Sequence, residues 1–300
     1  MNGRTENRSL SYPNKTKEVS DIAIRIFTDS TCDLSPEDQK RLDVHIVPLT
    51  VDFSGTTYLD GIDITYEQFY DMLDSSEVLP TTSQVPPQRF VDAFKEYLDA
   101  GDEIVGIFIS SGISGTYDSA CIAKNTLASD NLHIVDSLSV TMSLALLISE
   151  AAKCRDAGFS AKQIVDHVVM LSKKVRLYAA LNTLKYLRKG GRISATTAVM
   201  GEILGIKPIV SMVDGVVTMA GKARGMPAAI KTILHKALAE LPDLRYGVVF
   251  SHSCAPELVE KAVECMKDPL KLVEWLTCGI SSVIGTYAGR GGIGFAYIAL

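Results

Sequence analysis

Glu103-Ile104-Val105-Gly106-Ile107-Phe108-Ile109-Ser110-Ser111-Gly112-Ile113-Ser114-Gly115-Thr116, residues 103–116, is the stretch that decides the fold. From Ile104 to Ile109 no polar residue interrupts the run, the mark of a strand covered on both faces. The run ends in a loop of serines and glycines, and Ser114–Ala128 then reads as a helix. A strand buried on both sides and leading into a helix is the unit of a parallel sheet sandwiched by helices. The same alternation continues outward. Upstream lie a strand at Ile22–Thr28, a helix start at Ser35-Pro36-Glu37-Asp38, a second strand at Val44–Phe53, and helices at Thr65–Leu73 and Pro87–Asp99. Within the last of these, Phe90, Val91, Phe94, Tyr97 and Leu98 share one helical face. Downstream lie a strand at His133–Val135 and a helix at Ser139–Ala157.

The second half opens at Ala161, with an amphipathic helix to Lys174, a strand at Val175–Ala180 and a short helix at Thr183–Lys189 that stops at Gly190-Gly191. Ser194–Leu204 follows, then a strand at Ile206–Met212. Asp214-Gly215 between two β-type runs signals a hairpin. A helix at Ala228–Glu240, a strand at Tyr246–Ser251, a helix at Pro256–Met266, a strand at Leu270–Thr277 and a glycine-rich loop at Gly285–Gly294 complete the chain. A hairpin among βαβ units implies a mixed sheet. The expected fold class is therefore α/β, in two α/β domains, the first a three-layer parallel sheet and the second a mixed sheet with helices. The expected division is a mobile polar tail at 1–21, an N-terminal domain at 22–160 and a C-terminal domain at 161–300.

Apolar residues make up 47% of the 300, enough for a full core, and a net charge of −5 gives no reason to expect nucleic acid or an anionic membrane. Residues 1–21 lack the apolar stretch of a secretory signal, and no run reaches the ~20 residues of a membrane span. The apolar run at Val140–Ile148 fits a buried helix instead. Six dispersed cysteines without a CxxC pair argue against zinc and read as reduced thiols of a cytoplasmic protein.

Gly289–Gly294 matches GxGxxG, but a nucleotide fingerprint needs a helix behind it, and only a short β-like run follows. No Walker A sequence is present. Asp29, Asp33, Asp60, Asp63 and Asp136 could hold a divalent metal, although Asp29-Ser30-Thr31-Cys32-Asp33 has the form of an Asx turn and helix start. Two hydroxyl-rich loops stand out: Thr81-Thr82-Ser83 before one helix, and Ser110–Thr116 at the end of the opening strand. Each taken alone is explained by N-capping. Together they offer neutral donors near helix N-termini, with no lysine or arginine in either loop. That suits a monoanionic carboxylate better than a polyphosphate. Lys185–Ser194 is the most basic stretch and Lys222-Ala223-Arg224-Gly225 a smaller cluster. Both read as cations complementing a helix end or as a partner-facing surface.

The ordered set Asp29–Leu34, Thr82-Ser83-Gln84, Ser110–Thr116, Val135-Asp136-Ser137, Leu184–Ser194 with Gly201–Pro208, Gly221–Gly225 and Gly285–Gly294 resembles the DegV family, the fatty-acid-binding proteins that work with bacterial fatty acid kinase. The resemblance implies two α/β domains with a lipid between them, its carboxylate on Thr82 and Ser114, its tail in the second domain, and no cofactor or metal. Ser83, Ser111, Gly112 and Gly115 would support the two loops. It implies no catalytic residue in the chain itself. A separate kinase subunit would convert the bound long-chain acid to acyl phosphate for phospholipid synthesis. The basic clusters add the expectation that Arg224 or the Arg188–Arg192 cluster contacts that acidic or phosphate-bearing partner. Many relatives carry histidine after Gly-Thr in the C-terminal loop; this chain has Tyr287, whose hydroxyl can donate but stays neutral near pH 7. The competing readings are a sensor of the same fold with a different small ligand, and a hydrolase using Ser114.

Overall fold

The computed structural model describes residues 22–193 and 204–300. The expected tail at 1–21, residues 194–203 of the Ser194–Leu204 segment and the start of the Gly201–Pro208 motif lie outside the described residues. The first half runs β1 (Ile24–Asp29), α1 (Pro36–Leu42), β2 (Val44–Val47), β3 (Thr50–Phe53), β4 (Thr56–Leu59), α2 (Tyr66–Ser75), β5 (Thr81–Ser83), α3 (Pro87–Asp99), β6 (Glu103–Phe108), α4 (Thr116–Leu127), β7 (Leu132–Asp136) and α5 (Met142–Asp156). The second continues with α6 (Ala161–Ser172), β8 (Val175–Ala180), α7 (Lys185–Lys189), β9 (Ile206–Val213), β10 (Val216–Arg224), α8 (Met226–Ala239), β11 (Val248–His252), α9 (Pro256–Met266), β12 (Leu276–Gly279), α10 (Ser282–Ala288) and β13 (Ile293–Ile298).

Four strands form a parallel sheet in the order β2-β1-β6-β7. Six form a mixed sheet in the order β10-β9-β8-β13-β11-β12, with only the β11–β12 pair parallel. Helix α5 lies between the two sheets, touching β1 and β6 on one side and β8, β11 and β13 on the other. That placement explains why Met142–Ala152 is buried on every face and why a run too short for a membrane is so hydrophobic. Helix α6 packs beside it on β6 and β7. Phe90 and Phe94 of α3, with Ala120 and Ala123 of α4, cover the outer face of the parallel sheet. Helices α8 and α9 cover the outer face of the mixed one. All six cysteines are free thiols, and no described helix is long and apolar enough to cross a membrane.

Four local expectations need correction. The single strand expected over Val44–Phe53 breaks at Pro48, which has no N–H to continue a ladder. Its second part, β3, leaves the parallel sheet and pairs with β4 and β5 in a small antiparallel sheet. Thr81-Thr82-Ser83 is therefore a strand and not a capping loop. The strand expected at Leu270–Thr277 starts late, at Leu276, because Lys271 turns the chain with φ 55° while Leu270 and Leu272 are buried. The glycine loop expected at Gly285–Gly294 begins inside a helix, α10, and ends inside β13, and only Gly289 and Gly291 between them turn with positive φ. The hairpin at Asp214-Gly215 forms as expected, both residues having positive φ, the form that suits the twist of its strands.

The turn after β1 carries two buried carboxylates. Asp29 Oδ1 accepts from Thr31 N (3.0 Å) and Thr31 Oγ1 (2.5 Å), the expected Asx turn, and its Oδ2 accepts from Ile109 N at 2.7 Å. Asp33 sits in the left-handed region, and its Oδ1 accepts from Ser281 N at 3.0 Å. Burial with no cation beside them pushes Asp29 up to about 6 and Asp33 up to about 7, and raises Asp60. A folded-state value above the unfolded one means that the unfolded chain loses its proton first as pH rises, so this contribution to stability falls between about pH 4 and pH 7. Removing the Asp33 titration by Asp33→Asn should shift stability toward the variant by on the order of 2 kcal/mol between pH 5 and pH 8. In thermal melts the gap between variant and wild type should move by roughly 4 °C in the variant's favour. A gap that stays constant would show that Asp33 ionises in its ordinary range.

Candidate functional site

Strand β5 alternates its side chains, so Thr82 points to one face while Thr81 and Ser83 point to the other and are exposed. Thr82 stands opposite Val51 of β3, which is fully buried. Helix α10 brings Tyr287 to the same place. Its N-terminus is fixed by Asp60, whose carboxylate accepts from Ser282 N (3.1 Å), Ser282 Oγ (2.5 Å) and Ser281 Oγ (3.2 Å). Its middle is fixed by Gly285, where a Cβ would stand 2.5 Å from Phe69 Cε1. The result is a hydrogen bond of 2.6 Å between Thr82 Oγ1 and Tyr287 OH. In such a pair one hydroxyl proton is engaged and the other is free to donate elsewhere.

The loop after β6 supplies a second pair, Ser114 Oγ with Thr116 Oγ1 at 3.0 Å. The loop is joined to β5 by close contacts. Gly115 lies so near Gln84 that a Cβ would collide with that side chain, and Gln84 Nε2 donates to Ser119 Oγ at 2.8 Å. Neither helix that follows a hydroxyl cluster is capped by it in the ordinary way: the N-cap residues are Pro86 for α3 and Gly115 for α4. Ser114 Oγ does accept from Thr116 N at 3.3 Å. The capping explanation therefore accounts for neither Thr82 nor Ser83 and for only part of Ser114. No described histidine is hydrogen-bonded to Ser114, whose partner is Thr116.

On the other side the loop meets the second half of the chain. Ser110 Oγ donates to Gly215 O at 2.7 Å, and a Cβ on Gly112 would stand 2.6 Å from that same oxygen. Ser111 turns away, donating to Asp136 Oδ2 at 2.5 Å. Of the three expected partner-facing cations, Arg192 lies inside this arrangement. Its guanidinium stacks on the Tyr287 ring (4.9 Å to the centroid), and it donates to Ile113 O (3.2 Å) and Gly190 O (2.7 Å). Arg188 and Arg224 are exposed. Arg224 ends β10, nine residues from the hairpin turn and so roughly 30 Å along the strand from the loop contact.

Behind the hydroxyls lies an apolar cluster that draws on both halves: Ile109, Met142 and Leu146 from one, Leu177, Val210 and Ala296 from the other. Ile113, Met212, Met219, Ile284 and Tyr287 flank it with partly buried side chains. Unbranched methionines can rearrange around a guest. The Arg192–Tyr287 stack and the Gln84–Gly115 contact leave no signal in the sequence, since each joins segments distant in the chain. Among the described residues no group of His, Cys, Asp or Glu is arranged to hold a metal ion.

Gly190 tests how strictly Tyr287 is placed. Its φ of −78° suits any residue, but a Cβ would run into the Tyr287 ring. Gly190→Ala should therefore displace the tyrosine without straining the backbone. Breaking the Thr82 contact by this route should weaken ligand binding at least as much as Tyr287→Phe. Equal affinity in wild type and Gly190→Ala would mean that the tyrosine position does not matter.

Known proteins resemble this chain over nearly its whole length. A family model described as "uncharacterised protein, DegV family" matches residues 23–300. A DegV domain-containing protein of Clostridium acetobutylicum is 35% identical over 279 residues, covering 92% of this chain and 98% of its own. A fatty-acid-binding DegV family protein from Thermus thermophilus superposes with a TM-score of 0.85 at 29% identity, over 93% of this chain and 100% of that one. A stearic acid-binding protein from Eubacterium ventriosum does so with a TM-score of 0.81 at 28% identity, over 92% and 98%.

Proposed function

Because the chain belongs to the DegV family, we propose that it binds a long-chain fatty acid, holding the carboxylate on Thr82, Tyr287 and Ser114 and the tail among the apolar residues behind them. The observation that carries this reading is the 2.6 Å Thr82–Tyr287 hydrogen bond beside the Ser114–Thr116 pair. Two hydroxyl pairs, each with one free proton, match the two oxygens of one carboxylate. Arg192 adds a positive charge one ring away, stacked on Tyr287. The fatty-acid-binding protein of Thermus thermophilus, alike over nearly its whole length, supports the same ligand class.

The energetics assign separate tasks to the two ends. Burying methylenes is worth ~0.8 kcal/mol each, so a chain of about sixteen carbons offers on the order of 10 kcal/mol before ordering costs. The tail supplies affinity, and the hydroxyls fix which atom is presented. We further infer that the chain is not itself a catalyst. It presents the carboxylate, in the cytoplasm, to a separate kinase subunit that makes the acyl phosphate. Exposed Arg188 and Arg224 suit a phosphate-bearing or acidic partner.

Native mass spectrometry of freshly purified protein tests the first step. The expected result is a co-purifying mass of a long-chain fatty acid, lost on delipidation. A protein carrying a nucleotide, or one that takes up no fatty acid when offered it, would overturn the reading. Adding a fatty acid kinase catalytic subunit and ATP to the loaded protein tests the second. Acyl phosphate should form only with both proteins present, and more slowly with charge-reversed Arg188 and Arg224.

A further inference from the structure

Tyr287 stands in the last turn of α10, and the first turn of that helix is held from far away in the chain. Its N-cap residue, Ser281, is of a type that commonly caps its own helix, yet its side chain makes no capping bond. The Ser281 hydroxyl donates instead to Asp60 Oδ2 at 3.2 Å. Asp60 Oδ1 accepts from Ser282 N at 3.1 Å and from Ser282 Oγ at 2.5 Å. Asp33 is a second remote acceptor, taking Ser281 N at 3.0 Å.

Helix stability alone does not call for this. A local serine cap satisfies orphan N–H groups without burying a charge. Asp60 is 2% exposed and takes part in no ion pair among the described residues. Burying a carboxylate is costly, and hydrogen bonds only offset the cost. What the remote acceptor adds is a fixed relation between α10 and the element that carries Asp60.

That element is the small antiparallel sheet. Asp60 directly follows β4, and its N–H donates to Leu49 O at 3.0 Å, next to the start of β3. Leu59 stands opposite Thr50, and the next residue of β3, Val51, stands opposite Thr82 of β5. Thr82 in turn holds Tyr287 by the 2.6 Å hydrogen bond. One sheet therefore grips α10 at two points, Ser281-Ser282 and Tyr287. The rise of the helix sets Ser282 and Tyr287 roughly 8 Å apart. A helix held at one point is free to tilt about it, and a shift of ~1 Å takes a 2.6 Å hydrogen bond beyond its normal range. Resting on the fatty acid reading above, we propose that Asp60 is a positioning residue of the carboxylate site. Through Ser281 and Ser282 it fixes α10 to the sheet that carries Thr82, and so sets the Tyr287 hydroxyl where a carboxylate can use it.

The test compares palmitate with hexadecanol, which has the same tail and no carboxylate, by displacement of cis-parinaric acid from the full chain. Tail contacts are common to both lipids, so the ratio of the two affinities reads the head-group geometry. A residue that only stabilises the fold would leave that ratio unchanged. Asp60→Ala should cut the preference for palmitate by about tenfold, the worth of one misplaced hydrogen bond to a charged group. Ser282→Ala keeps the backbone bond to Asp60 and loses only the hydroxyl bond, so it should fold even where Asp60→Ala does not. Its preference should fall by about threefold. Folded variants that keep the full wild-type preference would overturn the role of Asp60 and leave the fatty acid reading in place. A wild-type chain with no preference for palmitate would overturn that reading itself, and the role of Asp60 with it.

Discussion

Thr82→Val is expected to weaken fatty acid binding by roughly 10- to 100-fold and to leave the ligand-free fold intact. A hydrogen bond to a charged group is worth about 1.5–3 kcal/mol, and each 1.4 kcal/mol is a decade in affinity. Valine keeps the shape of threonine and suits a strand, so β5 should still pair with β3. Calorimetric titration of delipidated protein with palmitate provides the measurement, alongside a denaturant midpoint to confirm the fold. An affinity within twofold of wild type would remove Thr82 from the head-group site. Ser114→Ala should behave alike, with a smaller loss if Thr116 takes over the free proton.

Gly285→Val is the largest structural effect expected, a loss of about 3 kcal/mol in folding stability. Its Cβ would stand 2.5 Å from Phe69 Cε1 and 2.8 Å from Tyr70 OH, and both rings are fully buried. Neither can swing aside without opening the small core beneath the antiparallel sheet. Urea denaturation checks the loss. Because α10 carries Tyr287, fatty acid binding should fall even in conditions where the variant remains folded. A stable variant with normal binding would mean that α10 can slide, and that the head-group geometry is not set by its packing.

How much of this could be read in advance depends on where each signal lives. β6 was legible because burial on both faces leaves a continuous apolar run that few other structures produce. α5 was legible for the related reason that a helix between two sheets has no wet side. β5 was not: Thr81-Thr82-Ser83 carries the composition of a helix start, and what makes it a strand is pairing with Val51, some thirty residues earlier. α10 was hidden in another way. Ser-Val-Ile-Gly-Thr-Tyr-Ala is a poor helix former, and the helix exists because Asp60 engages its first turn and Gly285 lets it lie against Phe69. In the candidate site the two hydroxyl clusters were visible as clusters. That Thr82 meets Tyr287, and that Arg192 stacks on that tyrosine, depends on contacts between distant segments. The carboxylates at the start of α10 were least visible of all, for Asp33 and Asp60 meet Ser281 only when segments more than two hundred residues apart come together.

Strand β13 lies in the middle of the mixed sheet, antiparallel to β8 on one side and β11 on the other. In the order of synthesis its two neighbours appear long before it does. Until it arrives, β8 and β11 have no common partner, and the apolar cluster that would receive an acyl tail lacks Ala296 from β13 and Ala288 from the helix just before it. A partly made chain therefore presents open strand edges but no lipid pocket. The consequence is temporal. Folding chaperones should meet this protein during translation, whereas its ligand can meet it only afterwards. On the proposed function, lipid loading would then be a sign that the chain has finished folding.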